Sequence, residues 1–132
     1  MGQYRVMDLV MRFVIAVLMF LLVSIPAATS GEADVVNVVV RDRADGTYLF
    51  DVTVKHADEG WEHYANAFEI VDAAGTVLAR RVLAHPHVDE QPFTRSLSRV
   101  EVPAGLTEVT VRAVDSVHGI GGATMVVALP GR

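Results

Sequence analysis

Short runs of β-branched residues, separated by Gly, Pro and Asp, fill residues 31–132. Within these runs apolar and polar positions alternate with a period of two, which is typical of strands that bury one face and expose the other. In residues 47–55 the positions predicted to face the core are Tyr48, Phe50, Val52 and Val54. In residues 108–114 the corresponding positions are Val109, Val111 and Ala113.

This pattern predicts seven strands, since no stretch of residues 31–132 keeps a helical period over three turns. The predicted strands span residues 35–41, 47–55, 65–71, 77–84, 93–102, 108–114 and 123–129. Seven short strands over about 100 residues predict an all-β domain, a seven-stranded antiparallel sandwich of immunoglobulin-like or fibronectin-like type. The cysteine pair of antibody domains is absent, so the fold must rely on its apolar core.

The first 30 residues form a separate segment. An uninterrupted apolar run over residues 13–23 follows Arg5 and Arg12 and precedes small residues that end at Ser30. A charged start, an apolar run and a small-residue site are typical of a secretory signal peptide. We expect a signal peptide over residues 1–30 and one domain over 31–132, periplasmic or secreted, with no membrane span after cleavage. A permanent anchor is the alternative, although the run is shorter than the roughly 20 residues of a spanning helix.

The composition excludes several kinds of chemistry. The chain has a formal net charge of −5, no cysteine and a single lysine, Lys55. Without cysteine, disulfide frameworks, thiolate metal sites and cysteine nucleophiles are excluded, and no sulfur is present for lipid attachment. The acidic balance provides no basic surface for phosphates, so nucleic acid is not an expected partner.

The strand order divides the loops between the two ends of the sandwich. Because consecutive antiparallel strands reverse the chain, alternate connections lie at the same end. One end is predicted to hold the short turns at 44–46, 73–75 and 103–105. The opposite end is predicted to hold the loops 56–64, 85–92 and 115–122, which contain all five histidines. Function usually lies in loops on a rigid scaffold, so this end is the candidate site.

The histidines of this end predict a metal site. His85 and His87 flank Pro86, and an i, i+2 pair in extended backbone projects from one face. Imidazole ligands suit zinc and copper(II), which are the expected ions. The predicted metal ligands are His85, His87 and His118, completed by His56 or His63. Each histidine taken alone also fits a hydrogen-bonded loop anchor, and His118 could tie its glycine-rich loop to Asp115.

A second hypothesis is an interaction module that binds an envelope protein or a glycan. Its predicted contact residues are Trp61, Tyr64, Asp89 and Glu90. The aromatic pair also fits a lid over the core, and Asp89 or Glu90 could pair with Arg95 to hold their loop. Enzymatic activity is not expected, because no serine lies in a Gly-x-Ser-x-Gly elbow and small sandwiches rarely enclose a deep pocket. A hydrolase remains the third hypothesis.

Three stretches carry a resemblance to known proteins: WEHY at 61–64, HPHVDEQPFTRSLS at 85–98 and DSVHGIGG at 115–122. They resemble a group of small exported bacterial β-sandwich proteins of uncharacterised function. The resemblance implies a compact exported domain with these same three loops. It assigns no catalytic or ligand role to any residue.

Overall fold

A computed structural model describes residues 31–132, and the predicted signal peptide lies outside the described residues. The described part folds into seven strands without a helix. The strands are β1 (Asp34–Asp42), β2 (Thr47–Lys55), β3 (Ala65–Val71), β4 (Val77–Val82), β5 (Phe93–Glu101), β6 (Glu108–Asp115) and β7 (Met125–Ala128). Residues 31–132 accordingly contain no helix that could cross a membrane.

The strands form two antiparallel sheets, which confirms the predicted all-β class and its seven strands. One sheet has the order β1-β2-β5 and the other has the order β4-β3-β6-β7. Strand β7 is shorter than predicted, because residues just before it bond to the first sheet instead. The Val35 amide donates to the Ala123 carbonyl oxygen at 2.8 Å, and the Ala123 amide donates to Asp34 Oδ1 at 2.7 Å.

The position of β4 distinguishes this sandwich from the constant-type immunoglobulin domain. Strand β4 pairs with β3, whereas in constant-type immunoglobulin domains the fourth strand joins the sheet of the first, second and fifth. The finer assignment to an immunoglobulin-like or fibronectin-like type stays a prediction.

The inner faces of the two sheets form a single apolar core. Its largest fully buried side chains include Phe50, Phe68 and Phe93. Both predicted inward rows are buried, in β2 from Tyr48 to Val54 and in β6 from Val109 to Ala113. Burying each such side chain stabilises the fold by about 1.5–3 kcal/mol, which is how a chain without disulfides holds this shape.

Hydrogen bonds join the three long loops at the end that was predicted to contain the histidines. The loop between β2 and β3 contacts the β4–β5 loop, because the His87 amide donates to Asp58 Oδ2 at 2.7 Å. It also contacts the β6–β7 loop, because the Ser116 amide donates to the Tyr64 carbonyl oxygen at 2.9 Å. Chain reversal thus gathers distant segments at one place.

Candidate metal centre

Asp58 is the buried anchor that holds the loops of this end in position. Its Oδ1 accepts hydrogen bonds from the Ala65 amide at 2.9 Å and from His56 Nδ1 at 2.6 Å. Its Oδ2 accepts the His87 amide. A buried carboxylate is stable only when such donors surround it. The Asp58 side chain therefore holds the loop backbone in position and orients the His56 ring.

His56 extends the inward row of β2 by one further position, so its ring reaches the end of the core. The residue is 3% exposed. Its Nδ1 donates to Asp58 Oδ1, and its Nε2 lies 3.0 Å from the carbonyl oxygen of Gly31. A carbonyl oxygen only accepts, so Nε2 is the donor in this contact. Both ring nitrogens of His56 therefore face hydrogen-bond acceptors.

Asp115 extends the inward row of β6 in the same way and is 2% exposed. Its Oδ1 accepts the amides of Val117 and His118, each at 2.7 Å, which fixes the start of the β6–β7 loop. Its Oδ2 lies 3.8 Å from His56 Nε2. Among residues 31–132 this buried oxygen has no hydrogen-bond partner. The carboxylate thus presents one unused oxygen to the His56 ring.

His63, in the β2–β3 loop, covers the place where Asp115 approaches the His56 ring, and it is 8% exposed. Its ring packs edge-on against His56, with the ring centres 4.8 Å apart, and against His118 at 5.0 Å. Its Nε2 lies 3.3 Å from Asp115 Oδ1 without the alignment of a hydrogen bond. In the described part of the chain this nitrogen has no hydrogen-bond partner.

His56, His63 and Asp115 together have the dimensions of a metal site. Each offers one ligand atom, and these atoms lie within 4.8 Å of one another. Two atoms that are each about 2.0–2.1 Å from one tetrahedral ion are about 3.3 Å apart. The longest of the observed separations would have to shorten by up to about 1.5 Å around an ion. Supporting hydrogen bonds of the kind that metal ligands require orient both His56 and Asp115.

His85 and His87 form a separate pair beside this group. The two rings lie 4.6 Å apart with a tilt of 37°, and His87 stacks on Phe93 at 3.9 Å. The stacking on Phe93 holds the plane of the His87 ring. Burial lowers the pKa of His87, and the positive charges of Arg95 and His85 lower it further. The buried His87 ring therefore favours its neutral form.

The structure thus separates the five histidines predicted as metal ligands into two groups. It brings His56 and His63 together, with the exposed His118 ring against His63. His85 and His87 lie outside the group whose ligand atoms approach within 4.8 Å. Asp115, which the sequence suggested only as a partner of His118, supplies the carboxylate. A signal for it existed, because Asp115 continues the period-two row of Val109, Val111 and Ala113.

The residues predicted to bind a partner lie on the outer surface of this end. Trp61 is 67% exposed and packs edge-on against Tyr64, with ring centres 5.6 Å apart. Asp89 is exposed. Glu90 pairs with Arg95 at 3.1 Å, and the Arg95 hydrogen bond lowers the pKa of this carboxyl. Glu90 therefore holds its own loop, whereas Trp61 is presented to solvent.

Comparison with known proteins gives one clear similarity. The chain is 44% identical over 96 residues to a protein of Halomicrobium mukohataei named "Putative lipoprotein". The matched region covers 73% of this chain and 47% of that protein, so the chain spans about half the length of its relative. No protein-family model and no solved structure matches the chain.

Proposed function

We propose that this is an exported, non-enzymatic domain that binds a divalent transition metal through His56, His63 and Asp115. One observation carries the proposal. The buried atoms His63 Nε2 and Asp115 Oδ2 have no hydrogen-bond partner within residues 31–132 and lie against the His56 ring. Buried polar atoms are normally satisfied, and an ion bound between them would remove the cost of leaving them unpaired.

The charges around the site support a dication. Asp115 supplies one negative charge at the proposed ligand position, and Asp58 supplies a second behind His56. Two carboxylates balance one divalent ion, so the bound state carries no net buried charge. Asp58 would also fix His56 with its proton on Nδ1 and its lone pair on Nε2, the tautomer that binds a metal through Nε2.

The donor set favours zinc or copper(II). Two imidazoles and one carboxylate are suitable ligands for both ions. The chain has no cysteine to supply the soft thiolate ligands that favour copper(I). Three protein ligands also leave a coordination position for water or a further residue, and His118 lies next to His63. Export is supported by the signal-peptide pattern and by the name of the relative. This chain has no cysteine, so a lipid on a cysteine sulfur is not part of the proposal.

The test is a titration of protein purified without an affinity tag. Calorimetry with zinc and with copper(II) is expected to give one ion per chain with a dissociation constant near or below micromolar. Asp115→Asn keeps the oxygen that accepts the Val117 and His118 amides and replaces the unused oxygen, so it removes a ligand with little change in shape. We expect at least a tenfold loss of affinity in Asp115→Asn and in His63→Ala.

The matched control is the double variant His85→Ala/His87→Ala, which removes two histidines from the same end but none from the proposed ligand set. Its affinity should stay within about twofold of the original. Absence of saturable binding by either ion would overturn the proposal. Binding that survives in Asp115→Asn and His63→Ala but disappears in the control would instead support the ligand set predicted from the sequence.

A second function is favoured by the exposed apolar side chains of the three loops. These are Trp61 (67% exposed), Val88 (55%), Val117 (58%) and Ile120 (52%). Contiguous exposed apolar side chains typically mark interaction sites, and we propose that these four form such a surface for a protein or glycan of the envelope. Trp61 is the only tryptophan of the chain, so its fluorescence reports on this surface directly. Trp61→Ala should abolish binding to such a partner and leave the zinc titration unchanged.

A further inference from the structure

The carbonyl oxygen of Gly31 lies where an ion would have to bind His56. This oxygen is 3.0 Å from His56 Nε2 and accepts a hydrogen bond from it. A hydrogen bond places the acceptor near the axis of the ring nitrogen. A metal ion occupies the same axis, about 2.0–2.1 Å from the nitrogen. An ion in that place would lie roughly 1–2 Å from the Gly31 oxygen, at or inside the shortest metal–oxygen bond.

The other nitrogen of His56 offers no alternative. His56 Nδ1 is 2.6 Å from Asp58 Oδ1, and that oxygen also accepts the Ala65 amide. Coordination through Nδ1 would break the hydrogen bond that joins the His56 ring to the loop anchor. Metal binding at this centre must therefore use Nε2, and Nε2 cannot hold a proton for Gly31 and a metal at once.

We propose that the segment Gly31–Glu32 is a latch on the metal centre, which the ion opens by displacing the Gly31 carbonyl from His56. This inference rests on the proposed function and adds its regulation. The latch and the ion compete for one atom, so each weakens the binding of the other by the same factor. A chain whose segment is held in place therefore binds the metal more weakly than one whose segment is free.

The displacement is confined to a short segment. Ala33 is 1% exposed, and the Val35 amide is bonded to the Ala123 carbonyl oxygen. These contacts keep the chain fixed from Ala33 onward. Gly31 and Glu32 are exposed, and Gly31 follows directly on the predicted cleavage position at Ser30. The ion would thus change the mobility of Gly31 and Glu32 alone.

The sequence allows this atom to be observed alone. Gly31 and Glu32 form the only Gly-Glu dipeptide of the chain. Protein labelled with carbonyl-13C glycine and 15N glutamate gives a single cross-peak in a carbonyl–amide NMR correlation, from the Gly31 carbonyl and the Glu32 amide. The full chain in detergent micelles is titrated with zinc chloride, and bound zinc is quantified in the same samples.

We expect the cross-peak to move upfield in the carbonyl dimension as zinc binds, because the carbonyl loses its hydrogen bond. The heteronuclear NOE of the Glu32 amide should fall at the same time, and both changes should follow the zinc saturation curve. In Asp115→Asn, the cross-peak should move only at free zinc concentrations at least tenfold higher than those that move it in the original chain.

The outcomes separate the two proposals. If no zinc binds, the proposed function fails, and the latch fails with it. If zinc binds stoichiometrically while the cross-peak stays unmoved, the latch alone is wrong. If zinc binds and the carbonyl shifts downfield with a higher NOE, Gly31 is a ligand to the ion, which also overturns the displacement.

Discussion

Asp58 Oδ1 lies 2.6 Å from Nδ1 of His56, and both side chains are buried. This contact joins the architecture of the loops to the chemistry of the site, because the same carboxylate accepts backbone amides from Ala65 and His87. A histidine whose Nδ1 donates to a carboxylate presents Nε2 as a metal ligand in a fixed direction.

Asp58→Asn tests this double role. The amide nitrogen of asparagine would face the His87 amide with a donor in place of an acceptor. We expect the free energy of unfolding, measured in urea, to fall by about 2 kcal/mol. Zinc affinity should fall by roughly 10–100-fold, because the His56 ring loses its charged partner. Unchanged zinc affinity in a folded Asp58→Asn variant would show that His56 is not a ligand.

Gly122→Ala tests the contact between the residues just before β7 and the residues just before β1. A Cβ atom at Gly122 would lie 2.0 Å from the carbonyl oxygen of Ala33, which belongs to the backbone and cannot rotate away. We expect a loss of about 3 kcal/mol or more in the free energy of unfolding. The control is Gly121→Ala, whose Cβ would meet only the flexible side chain of Glu32 at 3.0 Å. Equal stability of the two variants would contradict the packing of this junction.

Glu69→Gln tests a charged network on the outer face of the second sheet. Glu69 is 6% exposed and accepts hydrogen bonds from Arg112 and Arg80. Burial raises the pKa of this carboxyl, but the hydrogen bonds and charges of Arg112 and Arg80 outweigh it, so the pKa is lowered below 4.5. Its contribution to stability is thus present above pH 4.5 and is lost as the pH falls through the lowered pKa.

We expect Glu69→Gln to lower the free energy of unfolding by about 2 kcal/mol at pH 7. The difference from the original chain should shrink as the pH falls below about 4.5. Urea titrations at a series of pH values measure it, with the exposed Asp89→Asn as control. A difference that does not change with pH would assign the role of Glu69 to shape and not to charge.

His87→Phe tests the neutral histidine beside the site. The folded pKa of His87 is lowered, mainly by burial, so the unfolded chain takes up a proton below about pH 6.5 that the folded ring resists. The original chain should lose stability as the pH falls from 6.5 toward the lowered pKa, and His87→Phe should lose less. His85→Phe removes only the smaller effect of the His85 charge and leaves the burial of His87 in place, so most of the original slope should remain.

At pH 7.5 we expect His87→Phe to be at least as stable as the original. Neither ring nitrogen of His87 has a hydrogen-bond partner within the described residues, and phenylalanine has no polar atom to satisfy. Its ring can retain the stacking on Phe93. Thermal unfolding at pH 7.5 and at a series of pH values below 6.5 measures the effect. A large loss of stability at pH 7.5 would show that the His87 nitrogens have partners in solution.

The sequence by itself determined the strands and the face that each side chain takes. Alternation with a period of two is a local property, so the inward rows of β2 and β6 could be predicted and are buried. Chain reversal also predicted that loops 56–64, 85–92 and 115–122 share one end, and hydrogen bonds between Asp58 and His87 and between Tyr64 and Ser116 join them there. Both results follow from neighbouring residues and strand direction alone.

Only the tertiary structure decided which side chains meet. His56 ends a row of the first sheet and Asp115 ends a row of the second. Their approach depends on how the two sheets pack, which neither row specifies. The spacing of His85 and His87 predicted a shared ion, which stays a prediction, whereas the stacking of His87 on Phe93 is a contact that the spacing could not predict. The period of the apolar pattern and the direction of each strand are properties of single segments of the chain. A set of metal ligands requires atoms from several segments to converge on one point.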